Sequence, residues 1–453
     1  MLNYINIKNF RAYRDERFDF SKINIFMGPN NSGKSSALSA INLLAQSSGF
    51  QRLSNSPLTL NGPYDELGTY IDVVHGNRSN SSIGIEFGFE KHEVGFEVKY
   101  RSQRKEIELS KFNFVHANHQ VYSYVKKRDA AEIKIGNKNL EQFNLDKALR
   151  IPDINGFWPS HHQLSYSRNK DNEFEIPDDY RAHLRRLDHT YFDMYQLFRN
   201  FDSLSPFRDQ PKRTYLYTGE TAQSIGRNGT NGINLIVNDS SKRGSQRVGI
   251  LEEVNRWFNV TGIAQGIEVK NLTPRHFEIC VIGFDGKEHN ICDVGFGCSQ
   301  VLPVLVAGLN LFLKKDNHRN LSDEGGPMLV VQEPEIHLHP NAQAALGSFF
   351  VGLANMGGQL FLETHSDHLV IRIARHIARG DLNPDDVNIY FVDPSEGGRR
   401  KISKIKFDEK GVFENKWPGG FMPHRSTETL GLARDRIRNS KLSADHQFSF
   451  NYL

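Results

Sequence analysis

Residues Ile23 to Gln46 read INIFMGPNNSGKSSALSAINLLAQ, and no other stretch restricts the fold as tightly. An apolar run, Ile25, Phe26 and Met27, leads directly into Gly28-Pro29-Asn30-Asn31-Ser32-Gly33-Lys34-Ser35. Beyond it Ala37, Leu38, Ile41, Leu44 and Ala45 recur at helical spacing. The order is strand, loop, helix. The spacing G-x-x-x-x-G-K-S suits a triphosphate, because glycines let backbone N–H groups close around phosphate oxygens and the helix N-terminus adds favourable partial charge. In such a loop Lys34 reaches the β and γ phosphates and Ser35 holds Mg²⁺. An ordinary glycine turn before a helix accounts for neither residue.

With 453 residues the chain is too long for one comfortable core, and two or three compact units are expected. The net charge of +3 gives no global nucleic-acid signature. Basic clusters at Arg101 to Lys105, at Lys126-Lys127-Arg128, around Arg181 to Arg186 and at Arg399-Arg400-Lys401 read as solvated faces, with acids close to most of them. Three cysteines, Cys280, Cys292 and Cys298, have neither disulfide-framework numbers nor paired C-x-x-C spacing, which points to a reduced, cytoplasmic protein. The N-terminus alternates apolar and polar residues and carries no secretory core. No unbroken apolar run of membrane-spanning length is evident in the sequence, so no membrane contact is expected.

Two short strands precede the loop. From Ser82 the period becomes two through Ile83, Ile85, Phe87, Phe89, Val94, Phe96 and Val98, which predicts a strand-rich lobe extending the first sheet. After a polar, turn-rich stretch from Ser47 to Pro63, the segment Tyr64 to Asp72 is expected to fold back near the nucleotide. Helices are predicted at Asp178 to Leu187 and at Thr190 to Phe201, the second with Tyr191, Phe192, Tyr195, Phe198 and Phe201 on a core-facing aromatic stripe. A glycine-rich turn, Asp293-Val294-Gly295-Phe296-Gly297-Cys298-Ser299-Gln300, opens a buried helix and so forms a second anion-binding terminus. Met328 to Val331 run apolar into Gln332 and Glu333, which places Glu333 at the C-terminal end of a buried strand, where open α/β sheets bind ligands. Gln359 to Ser366 form another apolar strand, ending in Thr364-His365-Ser366.

With these four stretches in order, the chain resembles the RecF/SMC/OLD branch of ABC-type ATPases. Ile5 to Tyr13 (INIKNFRAY), Asp293 to Pro303 (DVGFGCSQVLP), Gln332 to Pro340 (QEPEIHLHP) and Glu363 to Leu369 (ETHSDHL) look most like stand-alone AAA-type ATPases with a DUF3696-like C-terminal segment, as does Trp417 to Phe421 (WPGGF). Proteins of this kind include the ATPase subunits of Septu-, PARIS- and retron-type phage-defence systems, which pair with a separate nuclease or toxin. The resemblance covers residues 1–80 and 205–425 and is weak between them.

The resemblance implies an α/β ABC/RecF-like head with a mixed sheet, an antiparallel strand lobe and an inserted helical subdomain. The expected units are 1–138, 139–204 (the insertion), 205–400 and 401–453, the last a hairpin and helix suited to partner contact. It also implies a homo-oligomeric ATP sandwich, a dimer of heads or a higher assembly such as a hexamer, regulating an effector in response to DNA or a phage-derived trigger. On that pattern Gly28, Asn30, Asn31, Ser32, Gly33, Lys34, Ser35 and Ser36 bind the ATP phosphates. Ser35 and Gln332 face Mg²⁺, Glu333 is the general base, and His365 senses the γ-phosphate. His339 lies in the inter-subunit loop, while Gly295, Gly297 and Ser299 reach the opposite subunit. Gln332 departs from the usual acid, which removes a negative charge from the outer Mg²⁺ shell and implies slow hydrolysis. The family's glutamine linking Mg²⁺ to the flanking lobe has no clear counterpart. Three other readings stay open: a non-hydrolysing ATP-bound scaffold, a DNA-repair-type ATPase or OLD-like nuclease, and a metal site at His337, His339, His365 and Glu333.

Overall fold

The computed structural model describes residues 1–48, 56–127, 131–142, 152–161, 178–313, 326–394 and 400–414. Residues 415–453, which include the expected Trp417 to Phe421 segment and the helix expected in the last unit, lie outside the described residues, as do Arg128 and Arg399.

Strands β1 (Leu2–Phe10), β2 (Tyr13–Asp19) and β3 (Ile23–Met27) precede α1 (Lys34–Ser47) and the single turn α2 (Tyr70–Val73). There follow β4 (Ile83–Phe89), β5 (His92–Arg101), β6 (Glu106–His116), β7 (His119–Lys126), β8 (Ala131–Ile135) and β9 (Lys138–Asn139). With β1 and β2 these form one antiparallel sheet in the order β2-β1-β4-β5-β6-β7-β8-β9. The period of two thus extends the first sheet, as its spacing predicts. The segment after α1 returns along that helix: the Gln46 amide donates to Thr59 O at 2.6 Å, and Ser39 Oγ to Asp65 at 2.7 Å.

Next come the hairpin β10 (Asp153–Asn155) and β11 (Trp158–Ser160), then α3 (Asp178–Arg199) and β12 (Phe201–Leu204). One uninterrupted helix stands where spacing predicts two. No glycine or proline interrupts Asp188-His189, and the buried stripe Leu184, Leu187, Thr190, Met194, Leu197 and Phe198 runs straight through that join. The core face is therefore mainly aliphatic, and Phe192 of the expected aromatic stripe is 45% exposed.

The C-terminal half adds β13 (Tyr215–Leu216), α4 (Gly232–Ser241), α5 (Ile250–Thr261), β14 (Gly266–Asn271), β15 (His276–Ile282), β16 (Glu288–Asn290) and α6 (Phe296–Leu313). It continues with β17 (Met328–Gln332), α7 (Pro340–Asn355), β18 (Gln359–Glu363), α8 (Asp367–Ala378), β19 (Val387–Pro394) and β20 (Arg400–Ile405). The central sheet runs β12-β17-β18-β3-β19-β20, parallel except for β20, so it continues past residue 400.

Alternation along these central strands divides the interior in two. Phe26, Val330, Phe361 and Tyr390 face a core shared with α1, α3 and the large antiparallel sheet. Ile25, Val331, Leu362 and Ile389 face a second core built with α4 to α8. Helix α6 has the length and apolar composition to cross a membrane, against the expectation from sequence, but two-thirds of it is buried in this second core. It packs against α4, α5, β12 and β17.

One buried histidine gives the lobe a pH dependence. His92 lies 3.1 Å from His116 through their Nδ1 atoms and stacks near Phe89 and Phe114. Burial, with His116 and Arg186 adding to it, pushes its pKa from 6.5 down to about 4, although Glu90 and Asp193 each stand 3.9 Å away. The folded state thus holds the ring neutral while the unfolded chain protonates it near 6.5. Its contribution is complete above pH 6.5 and is lost as pH falls toward 4. Thermal melts across that window should show a falling midpoint, with a shallower fall in His92→Phe; parallel curves would assign the acid lability elsewhere.

Candidate functional site

Three parallel strands end side by side, and each is followed by one of the motifs singled out in the sequence. Glu333 N–H donates to Glu363 O at 2.7 Å, and Thr364 N–H to Phe26 O at 3.2 Å. These bonds tie the residues following β17, β18 and β3 into one edge. That edge is the C-terminal one, where open parallel sheets bind ligands.

The loop after β3 needs its glycines for different reasons. Gly28 has φ 138°, and a Cβ there would lie 2.1 Å from Val392 O, so a side chain would be excluded by the backbone of β19. Gly33 has φ 114° at the N-cap of α1, and its carbonyl accepts from Tyr13 Oη at 2.8 Å. Between them Asn30 and Asn31 are exposed, whereas Ser32 is buried with no hydrogen-bond partner at Oγ. Ser36 N–H donates to Gly33 O at 3.0 Å, opening the helix. Lys34 is 3% exposed and its Nζ donates to Gly28 O at 3.1 Å and Pro29 O at 2.9 Å. Burial lowers its pKa, opposed by Glu363, Glu333 and Glu335.

Glu363 joins the loop to the strand ends. Its Oε1 accepts from Ser35 Oγ at 3.0 Å and lies 3.8 Å from Lys34 Nζ, while Oε2 accepts from Gln332 Nε2 at 3.2 Å. Burial raises the Glu363 pKa, against the pull of Lys34 and the Ser35 hydrogen bond. Glu335, also pushed up by burial, accepts the His365 N–H at 2.6 Å through Oε1. His365 is held toward its neutral form by burial and by Lys34, with Glu333 opposing. Glu333 itself has φ 46°, a left-handed turn that a glutamate adopts at a cost of about 1 kcal/mol.

Arg208 completes the group. It donates through Nη2 to Gln332 O at 2.8 Å and through Nη1 to Ser205 O, and burial lowers its pKa to about 10 despite Glu333 and Glu335. Lys34, Ser35, Gln332, Glu333 and His365 therefore share one site. Glu335, Glu363 and Arg208 belong to it and were not assigned roles from sequence. The acids stand in QEPE and ETHS, so their proximity to the motifs was a usable signal; Ser205-Pro206-Phe207-Arg208 carries none.

The glycine turn lies against a different loop. A Cβ on Gly297 would sit 3.1 Å from His337 O, and the Phe296 and His337 rings are 5.8 Å apart, with Phe296 61% exposed. Gly295 is exposed. Ser299, in contrast with its expected outward role, is buried and donates to Phe296 O at 3.0 Å within its own helix. His339 is exposed at the N-cap of α7, ahead of Pro340. Among the described residues no group of three or more His, Cys, Asp or Glu side chains is arranged to hold a metal ion. The donor set of Ser35 hydroxyl, Glu363 carboxylate and Gln332 amide is hard and oxygen-rich, and it suits Mg²⁺ that shares its coordination with phosphates.

A phosphate loop on a parallel sheet, with acids and a histidine at neighbouring strand ends, defines a P-loop nucleotide-binding class. The chain belongs to the AAA ATPase domain family (AAA_15), whose profile matches residues 1–370. No curated protein matches the chain. Among solved structures, the SMC head domain from Thermotoga maritima aligns with TM-score 0.36 and 11% identity over 89% of this chain and 98% of that one. The SmcHead bound to the C-winged helix domain of ScpA gives 0.40 and 10% over 90% and 98%. The Smc head domain with an extended coiled coil bound to the C-terminal domain of ScpA, derived from Pyrococcus furiosus, gives 0.39 and 9% over 96% and 99%. At these TM-scores the likenesses support no argument about this chain.

Proposed function

We propose that the chain is a cytoplasmic ATPase whose ATP-bound heads pair and thereby regulate a partner effector, a nuclease or toxin, in anti-phage defence. The observation that carries the ATPase part is the convergence of Lys34, Ser35, Glu333 and His365 on one sheet edge, with Glu363 linking Ser35 to the strand ends. The defence role, the trigger and the effector rest on the sequence resemblance alone.

On this reading the loop amides and Lys34 hold the β and γ phosphates, and Ser35 holds Mg²⁺, which supplies neutralisation of charge on the phosphate oxygens. Glu333 orients a water for in-line attack and takes its proton. The new bond joins the water oxygen to the γ phosphorus, the bond to the β–γ bridging oxygen breaks, and ADP leaves with that electron pair. His365, kept toward its neutral form, donates a hydrogen bond to the γ-phosphate. The exposed Phe296, Gly295 and His339 form the face offered to a second head.

The test is size-exclusion chromatography with light scattering, with and without ATP and Mg²⁺, and with phosphate release measured on the same samples. Assembly on ATP together with phosphate release is expected. Assembly without release would replace the ATPase with a scaffold, the reading that Gln332 at the usual acid position favours. A particle of unchanged size in every condition would remove nucleotide-driven pairing. Separately, absence of plaque reduction when the neighbouring gene is also present would count against defence.

A further inference from the structure

Gln332 and Glu363 are register partners at the C-terminal ends of the adjacent parallel strands β17 and β18. The resembled ATPases carry an acid at the position of Gln332, and its replacement by an amide removes a negative charge there. Glu363 restores one charge a strand away. Its two oxygens divide the work, Oε1 accepting from Ser35 Oγ at 3.0 Å and Oε2 from the Gln332 amide at 3.2 Å.

The two side chains depend on each other. Carboxylates at both of these paired positions would repel, whereas an amide donates to the one that remains. A serine that ligates a cation must present a lone pair to it and hand its proton elsewhere. Glu363 takes that proton in the hydrogen bond from Ser35, which fixes the hydroxyl and makes its oxygen a better ligand. Glu363 is 4% exposed, so water does not compete freely for the same bond.

We propose that Glu363 is the positioning residue for Mg²⁺ in this chain, supplying from β18 a carboxylate that Gln332 does not supply from β17. The proposal rests on the ATP and Mg²⁺ reading above. It separates from a merely structural role for Glu363 as counter-ion to Lys34. Loss of a counter-ion would alter ATP affinity equally with and without metal, while loss of a metal-positioning acid alters only the metal-dependent part.

The experiment titrates a methylanthraniloyl derivative of ATP into the full chain, once with Mg²⁺ and once with EDTA, and reads the ratio of affinities. In Glu363→Gln the preference for Mg²⁺ should fall about tenfold or more, the scale of one lost charge-assisted hydrogen bond. Exchange of the pair, Gln332→Glu with Glu363→Gln, should restore it. Should Glu363→Gln fail to fold by circular dichroism, Gln332→Asp with Glu363→Thr carries the same test: a retained preference supports the exchange, and a lost one overturns it. An unchanged ratio in folded Glu363→Gln overturns the role of Glu363 while leaving nucleotide binding intact. A wild-type chain that binds no nucleotide in either condition overturns both.

Discussion

Lys34→Ala is expected to reduce ATP affinity about 100-fold or more, the cost of removing a buried charged partner from a phosphate. The side chain is 3% exposed and reaches the Gly28 and Pro29 carbonyls, so it is held in place rather than recruited from solvent. Around it stand the carboxylates of Glu363, Glu333 and Glu335, each of which favours its charged form while burial opposes it. Removing the ammonium leaves those acids facing a triphosphate with Arg208 as the nearby cation, and Arg208 is engaged with two backbone carbonyls. Titration calorimetry with ATP and Mg²⁺ measures the loss, and phosphate release should vanish with it. An affinity equal to wild type would mean that the loop after β3 is only a helix-capping turn.

What could be read from the sequence was what is local in the chain. The run from Ile25 to Ser35 contains its own strand, turn chemistry and helix start, so the phosphate loop was visible without knowing its neighbours. The lobe was visible because alternation at Ile83, Ile85 and Phe87 is set by the pleat itself. The joined helix α3 was less visible, because local helix preference does not mark an end where no breaker stands and the stripe that unifies it is fixed by what it packs against. Glu363 was the larger omission. Its position opposite Gln332 is a matter of strand order and register, and β17 and β18 are separated in the chain by the whole of α7. Arg208 likewise reaches its partner Gln332 across 124 positions of sequence. Ser299 illustrates the opposite case: a residue type suited to an outward role is turned by the first helical turn back onto its own backbone.

Glu333→Gln should separate binding from chemistry. The variant keeps the shape of the side chain and the Glu333 N–H bond to Glu363 O, so ATP affinity should stay near that of wild type. Turnover should fall about 100-fold to 10,000-fold, the range supplied by a positioned base. An ATP-paired assembly, if formed, should then persist through the time in which wild type returns to its starting size. Glu335 is the necessary comparison, since it is the other acid of the same turn. It is half-buried and committed through Oε1 to the His365 backbone at 2.6 Å, which fits an acid that places His365 rather than one that receives a proton from water. Glu335→Gln should therefore retain measurable phosphate release while changing its dependence on His365. Release that survives Glu333→Gln but disappears in Glu335→Gln would move the base from the first acid to the second, and the left-handed turn at Glu333 would then serve to carry the chain past the site.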